Sequence, residues 1–353
     1  MCGIIIYEGR RIKARDMIDA AVSNIHRGDD GVGILYKQND KLYMEKFLYG
    51  LEEMSEKKLS DERTTKRVSI GSIEMIAIDK ESYDKEQEKF EKKMEKLHNI
   101  ESDFFVLHHR KSTYGDNTFE NQHPIFYNDR YYVHNGTAIE FASVKTYLEI
   151  YEGHVFNTDT DTEVLSVLFN KLRDEYGVDT KKIYNVMKGM FPNGFGVLVE
   201  IDKDSNITIC KDTSRELWKY TLEDDGIFLI SEPIPEVTDY TTLEKVESGI
   251  HTLDSMRTTD YTPEINKLNK WWVDATTSVH DYTRVDKCDW CGKKMEVLST
   301  FRCDGHPSKS DRKDYCYNCL LTSLMYTNDD TDRLSKKRFN YGNNLGKVEV
   351  ANE

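Results

Sequence analysis

The chain has 353 residues, of which 38% are hydrophobic and 32% charged, enough to bury one large core or one core plus a small satellite. A net charge of -14 argues against general polyanion binding, because phosphate neutralisation needs clustered Lys and Arg; Arg333, Lys336, Lys337 and Arg338 form one local exception, read as a solvated tail. The longest apolar runs, such as Ile4 to Tyr7, are strand-sized and far below the ~20 residues of a membrane span, so no membrane association is expected.

In chain order, Ile4 to Tyr7 predicts a short buried strand, and Met17, Ala20, Ala21, Asn24 and Ile25 recur at helical spacing. Gly31 to Tyr36 and Lys41 to Leu48 flank Asn39-Asp40, a hairpin signal. Residues 52 to 102 are charge-rich, and Tyr83, Phe90, Met94 and Leu97 share one helical face, with Glu88 four before Lys92; this predicts an exposed amphipathic helix in an insertion, packed on the main domain with its polar face solvated rather than set aside for a partner. Strands follow at Phe104 to His108, Tyr131 to His134, Phe195 to Ile201 and Ile227 to Ser231, with a helix through Val164, Leu165, Leu168, Phe169 and Leu172. Strands in runs with helices outside them predict a layered α+β class. The texture changes after Met256, so one domain is placed at 1–256 and a linker plus small module at 257–353.

In that module, Cys288-x-x-Cys291 and Cys316-x-x-Cys319 have the spacing of two zinc knuckles, and four thiolates would close a tetrahedral structural site of zinc-ribbon or treble-clef type. Cys303 and His306 lie between the pairs as an alternative ligand or second site. Seven cysteines, four of them in two C-x-x-C pairs, point to reduced thiols and a cytoplasmic setting. Cys210 reads as a small core residue.

Cys2 carries the chemistry. Removal of Met1 would leave a thiol and a free α-amine on one residue, a nucleophile with its own base. Four clusters accompany it: His26-Arg27-Gly28-Asp29-Asp30-Gly31-Val32-Gly33; His108-His109-Arg110-Lys111-Ser112-Thr113-Tyr114-Gly115; Asn121-Gln122-His123-Pro124 running on to His134-Asn135-Gly136; and Asp159-Thr160-Asp161-Thr162-Glu163. In that order and spacing, through Ser231-Glu232, the chain from residue 1 to roughly 250 resembles the class II glutamine amidotransferase domain, an N-terminal-nucleophile hydrolase. Its motif pattern is closest to that of the glutaminase domains of glucosamine-6-phosphate synthase and amidophosphoribosyltransferase.

The resemblance implies a four-layer αββα sandwich and a glutaminase without organic cofactor, whose mature first residue attacks the side-chain amide of L-glutamine. Asn135 and the backbone N–H of Gly136 would hold the oxyanion, Arg110 and Thr113 the substrate carboxylate, and Asp161 its ammonium. Arg27, His108, His123 and His134 would scaffold the pocket, and Asp161 doubles as a candidate helix cap. Lys111 stands where many relatives have an aromatic, and Tyr114 where some have histidine. The hundred residues beyond the match are too few for an ammonia-consuming catalytic domain, so a separate synthase partner is expected. Two other readings remain open: a catalytically idle binding protein acting through its zinc module, and an amide hydrolase of different specificity.

Overall fold

In the computed structural model the described residues are 2–60, 65–70, 73–78, 80–234, 240–257, 300–303 and 313–316. They contain two antiparallel sheets of seven and five strands, plus two separate two-stranded ladders, in a mixed α/β arrangement. The chain divides into two compact units, one drawn from Met1–Pro124, Lys203–Ser205 and Leu217–Val246, the other from Ile125–Asp202, Asn206–Glu216 and Glu247–Glu353.

The first unit holds β1 (Gly3–Lys13), β2 (Gly31–Gln38), β3 (Lys41–Phe47), β4 (Thr65–Ile70), β5 (Ile73–Ile78), β6 (Glu101–Arg110), β11 (Trp218–Leu222), β12 (Ile227–Ile230) and β13 (Tyr240–Lys245). Its sheet runs β13-β11-β12-β1-β6-β2-β3, so β1 and β6 lie at the centre. Register on β6 sets Gly3 opposite His109 and Gly31 opposite Arg110, which brings the motif segments together at one end of the sheet. The Asn39-Asp40 turn is as predicted: both residues have positive φ (49° and 58°), the backbone that a two-residue hairpin matched to strand twist requires.

Helices α1 (Ala14–Val22), α2 (Leu51–Glu56) and α3 (Lys80–His98) cover one sheet face. Ala14, Met17, Ile18 and Ala21 bury the inner side of α1, which ends before Asn24 and Ile25. The charged segment differs from its prediction in one way: it contains a β4–β5 hairpin as well as a helix. The helix itself packs on the main domain as expected, with Phe90, Met94 and Leu97 buried in the same cluster as Ile5, Val32 and Leu107. Met94→Ala should therefore cost ~2–5 kcal/mol in urea denaturation, as deletion of a core side chain does; a loss near zero would place α3 outside the core.

The second unit orders its sheet β14-β10-β9-β8-β7, from β7 (Ile125–Tyr127), β8 (Arg130–Asn135), β9 (Val197–Ile201), β10 (Ile207–Lys211) and β14 (Gly249–Thr252). Helices α4 (Phe141–Glu152), α5 (Asp161–Asn170) and α6 (Thr180–Met190) bury Leu148, Leu165, Leu168, Val186 and Met187 with Tyr132, Leu198 and Cys210 of the sheet. Cys210 is a core residue, and burial pushes its thiol well above the ordinary range. A short α7 (Leu253–Arg257) follows β14, and β15 (Thr300–Cys303) pairs with β16 (Lys313–Cys316). The predicted boundary at 256/257 is followed by residues 258–299, which, Cys288 and Cys291 included, lie outside the described residues, as do His306 and Cys319. No helix among the described residues is long and apolar enough to cross a membrane.

Candidate active site

Each unit carries its own group of candidate residues. In the first, Cys2 precedes β1 and is almost wholly buried. Its Sγ lies 3.3 Å from the Lys111 backbone N–H and 3.5 Å from the Lys111 carbonyl, so the thiol meets both a donor and an acceptor. Arg27, on a single 3-10 turn, donates from Nε to the Cys2 carbonyl at 3.2 Å and from Nη1 to Glu232 at 3.2 Å. His26 bonds the same Glu232 carboxylate at 2.9 Å. That His26 bond, aided by Arg27 and opposed by burial, holds the Glu232 carboxyl below its usual range. Ser231 completes the brace, its Oγ accepting from Ile4 N at 2.9 Å while its N donates to Ile4 O at 3.0 Å.

His108 and His123 are buried and pack ring against ring, 4.1 Å between centroids. His109, to which the sequence assigns no separate role, is fully buried with Nδ1 3.0 Å from Gly28 O. Burial pushes it down to about 4, so it is neutral and Nδ1 carries the donated proton. Its ring packs directly on the Cα of Gly3, where any Cβ would overlap Nε2, which explains the glycine after Cys2.

Arg110 ends β6, is 2% exposed, and donates to three carbonyls of the following loop: Asp116 at 3.0 Å, Tyr114 at 2.8 Å and Gly115 at 3.2 Å. The guanidinium thereby curls residues 111–118 around itself, a structural task that the sequence reading did not foresee. Thr113 is exposed on that loop.

In the second unit, β8 ends in His134 and Asn135, both buried, followed by Gly136. A Cβ on Gly136 would overlap Phe195 O, so glycine is needed for close backbone approach. His134 is the hub of this region: Nε2 donates to Phe195 O, and Nδ1 is 3.1 Å from Thr162 Oγ1 and 3.7 Å from Asp161 Oδ1. The other Asp161 oxygen accepts from Ala138 N at 2.9 Å, tying the loop after Gly136 to the start of α5. Burial alone would lower His134 and raise Asp161; their mutual attraction overcomes it in both, raising the imidazole and lowering the carboxyl. They form a buried ion pair. The cap of α5 is Thr160, whose Oγ1 accepts from Glu163 N at 3.4 Å, and Asp161 is the first helical residue, where a negative charge also complements the helix dipole.

Among the described residues no cluster of three or more His, Cys, Asp or Glu side chains is arranged to hold a metal. Cys303 and Cys316 occupy opposite ends of the β15–β16 ladder, since Cys303 pairs with Lys313 and Cys316 with Thr300. Three strand positions separate the two cysteines by about 10 Å along the strands.

No protein-family model matches the chain. A glutamine–fructose-6-phosphate aminotransferase [isomerizing] of Francisella tularensis is 36% identical over 104 residues, 29% of this chain and 17% of that protein. The protein of the same name from Thermococcus kodakarensis is 25% identical over 265 residues, 72% of this chain and 36% of that protein. The chain therefore spans well under half the length of these curated relatives. Among solved structures, a glutamine phosphoribosylpyrophosphate amidotransferase from B. subtilis, complexed with ADP and GMP, covers 71% of this chain and 48% of its own at 19% identity and a TM-score of 0.47. That likeness is too low to bear on the fold, which rests on the two sheets themselves. In its ordered motifs and its curated relatives, the chain resembles the class II glutamine amidotransferase domain.

Proposed function

We propose that the chain is a glutamine amidotransferase that hydrolyses the side-chain amide of L-glutamine, with Cys2 as nucleophile once Met1 is removed. The observation that carries this reading is the setting of Cys2: its carbonyl is held by Arg27 and its thiol by the Lys111 peptide, a fixed sulfur at the head of a central strand. In the proposed reaction the sulfur attacks the amide carbon, and its proton passes through the freed α-amine to the departing nitrogen. Ammonia leaves, and water then cleaves the thioester to glutamate and thiol. Asn135 and the Gly136 N–H stabilise the oxyanion of each tetrahedral intermediate, where losing one donor typically costs ~10² to 10³ in rate. Arg110 and Thr113 serve the substrate carboxylate and Asp161 its ammonium. A four-layer αββα sandwich and a separate synthase that accepts the ammonia, in the cytoplasm, complete the proposal. Purified protein whose intact mass lacks Met1 is incubated with glutamine, and glutamate is measured against Cys2→Ala. Equal release by both sinks the reading in favour of an idle binding protein, and turnover of other amides but not glutamine moves it to a different hydrolase.

One structural zinc ion on Cys288, Cys291, Cys316 and Cys319 belongs to the same proposal. Four thiolates fill a tetrahedron, and the ~10 Å along the ladder between Cys303 and Cys316 favours leaving Cys303 out of that set. Elemental analysis should find about one zinc per chain, lost in Cys316→Ser and kept in Cys303→Ser; retention in the first or loss in the second contradicts the ligand set.

A further inference from the structure

Asp30 and Cys2 grip the same residue from two sides. The two peptide groups flanking Lys111 each have one end on the Cys2 sulfur and the other on Asp30. In the peptide joining Arg110 to Lys111, the N–H points at Sγ at 3.3 Å, while the carbonyl accepts from Asp30 N at 3.0 Å. In the peptide joining Lys111 to Ser112, the carbonyl accepts the thiol at 3.5 Å, while the N–H donates to Asp30 Oδ2 at 2.8 Å. The Lys111 ammonium adds a third tie, 3.1 Å from Asp30 Oδ1, and Asn117 Nδ2 donates to Asp30 O at 2.6 Å.

The first peptide is doubly held, since the sheet register sets Gly31 against Arg110 and the Cα of Gly28 packs directly on the Arg110 carbonyl and Lys111 N, where a Cβ would lie 2.6 to 2.7 Å away. The second is anchored by the Asp30 carboxylate. That carboxylate stays ionised: burial would raise it, and the Ser112 N–H and Lys111 ammonium bring it below the ordinary range.

We propose that Asp30 is a positioning residue for Cys2, its carboxylate fixing the Lys111–Ser112 peptide so that the Lys111 carbonyl accepts a hydrogen bond from the thiol. The proposal rests on Cys2 being the nucleophile, but its consequence is a property of the thiol itself. A carbonyl dipole aimed at sulfur favours the protonated form and disfavours the thiolate. Releasing the peptide lets that dipole swing away, so the thiolate forms at lower pH.

Iodoacetamide alkylation of Cys2, followed by the mass of the N-terminal peptide across pH, reads this without glutamine. Two charge-matched pairs isolate the hydrogen bond. Asp30→Ala and Asp30→Asn remove the same charge, yet only asparagine keeps an acceptor for the Ser112 N–H. Ser112→Pro deletes the donor and leaves the Asp30 charge in place, to be compared with the unmodified protein. The half-plateau pH should fall by ~0.5 to 1 unit in Asp30→Ala relative to Asp30→Asn, and in Ser112→Pro relative to the parent, the size expected from losing one directed hydrogen bond. If Asp30→Ala fails to fold, the Ser112→Pro comparison stands alone. Coincident profiles within a pair overturn the proposal. Absence of glutamate release with the profiles still split would instead reject the glutaminase reading and leave the positioning role intact.

Discussion

Cys2→Ala is expected to lower glutamate release from glutamine by ~10⁴-fold or more, because removing a covalent nucleophile leaves only binding and oxyanion stabilisation to act on a water attack. A factor of 10⁴ corresponds to ~5.5 kcal/mol of barrier. Stability should change far less, by ~1 kcal/mol or under, since the variant removes a single sulfur at the edge of the core. That contrast separates chemistry from folding in a single variant. The free amine gives a second handle. In preparations of mixed processing, activity should track the fraction whose intact mass lacks Met1, because a retained methionine places the amine one residue from the sulfur it is meant to serve. Full activity in protein that keeps Met1 would remove the α-amine from the mechanism.

Asp161→Asn should produce the largest combined effect in the second unit. Asparagine retains an oxygen for the Ala138 N–H but loses the charge that faces His134 across 3.7 Å. Removing one member of a buried pair typically costs ~3–5 kcal/mol, reduced here because His134 can shed its proton. The pH dependence follows from the directions of the two shifts. His134 is raised, so its contribution is full below its unfolded value near 6.5 and is lost as pH rises through the higher folded value. Asp161 is lowered, so its contribution is full above its unfolded value of 3.8 and is lost as pH falls through the lower folded value. These are one coupling seen from both partners, and it is complete between about pH 4 and 6.5. Urea denaturation should therefore show a larger gap between the parent and Asp161→Asn at pH 6 than at pH 9. A gap that is the same at both pH values would mean His134 is neutral throughout. In the glutaminase reading the same variant also raises the KM for glutamine by ~10²-fold, as loss of an ion pair to the substrate ammonium does.

How far the sequence carries depends on how local the signal is. The Asn39-Asp40 turn, the buried run at Ile4 to Tyr7 and the helical face of Phe90, Met94 and Leu97 were legible because each is encoded in neighbours a few residues apart. The β4–β5 hairpin was hidden inside a segment whose charge density drew attention to the helix after it. Thr160, not Asp161, caps α5, a choice between adjacent residues that composition leaves open. The motif residues were found by type and order, but their partners were not. Cys2 meets Lys111 across 109 positions and His109 meets Gly28 across 81.

What the amino-acid order determined by itself was the cast: a cysteine behind the initiator, an arginine after two histidines, an Asn-Gly pair, an acidic residue opening a helix. Those identities follow from side-chain chemistry, which a sequence states outright. What only the tertiary structure decided was the use of each group. Antiparallel pairing of β6 with β1 and β2 sets Lys111 between Cys2 and Asp30. Arg110 turns its donors onto loop carbonyls, and His134 receives a carboxylate, a hydroxyl and a carbonyl from three different segments. Most of these bonds end on backbone N–H and C=O groups, which every residue carries alike, so nothing in the sequence marks which of them will be near.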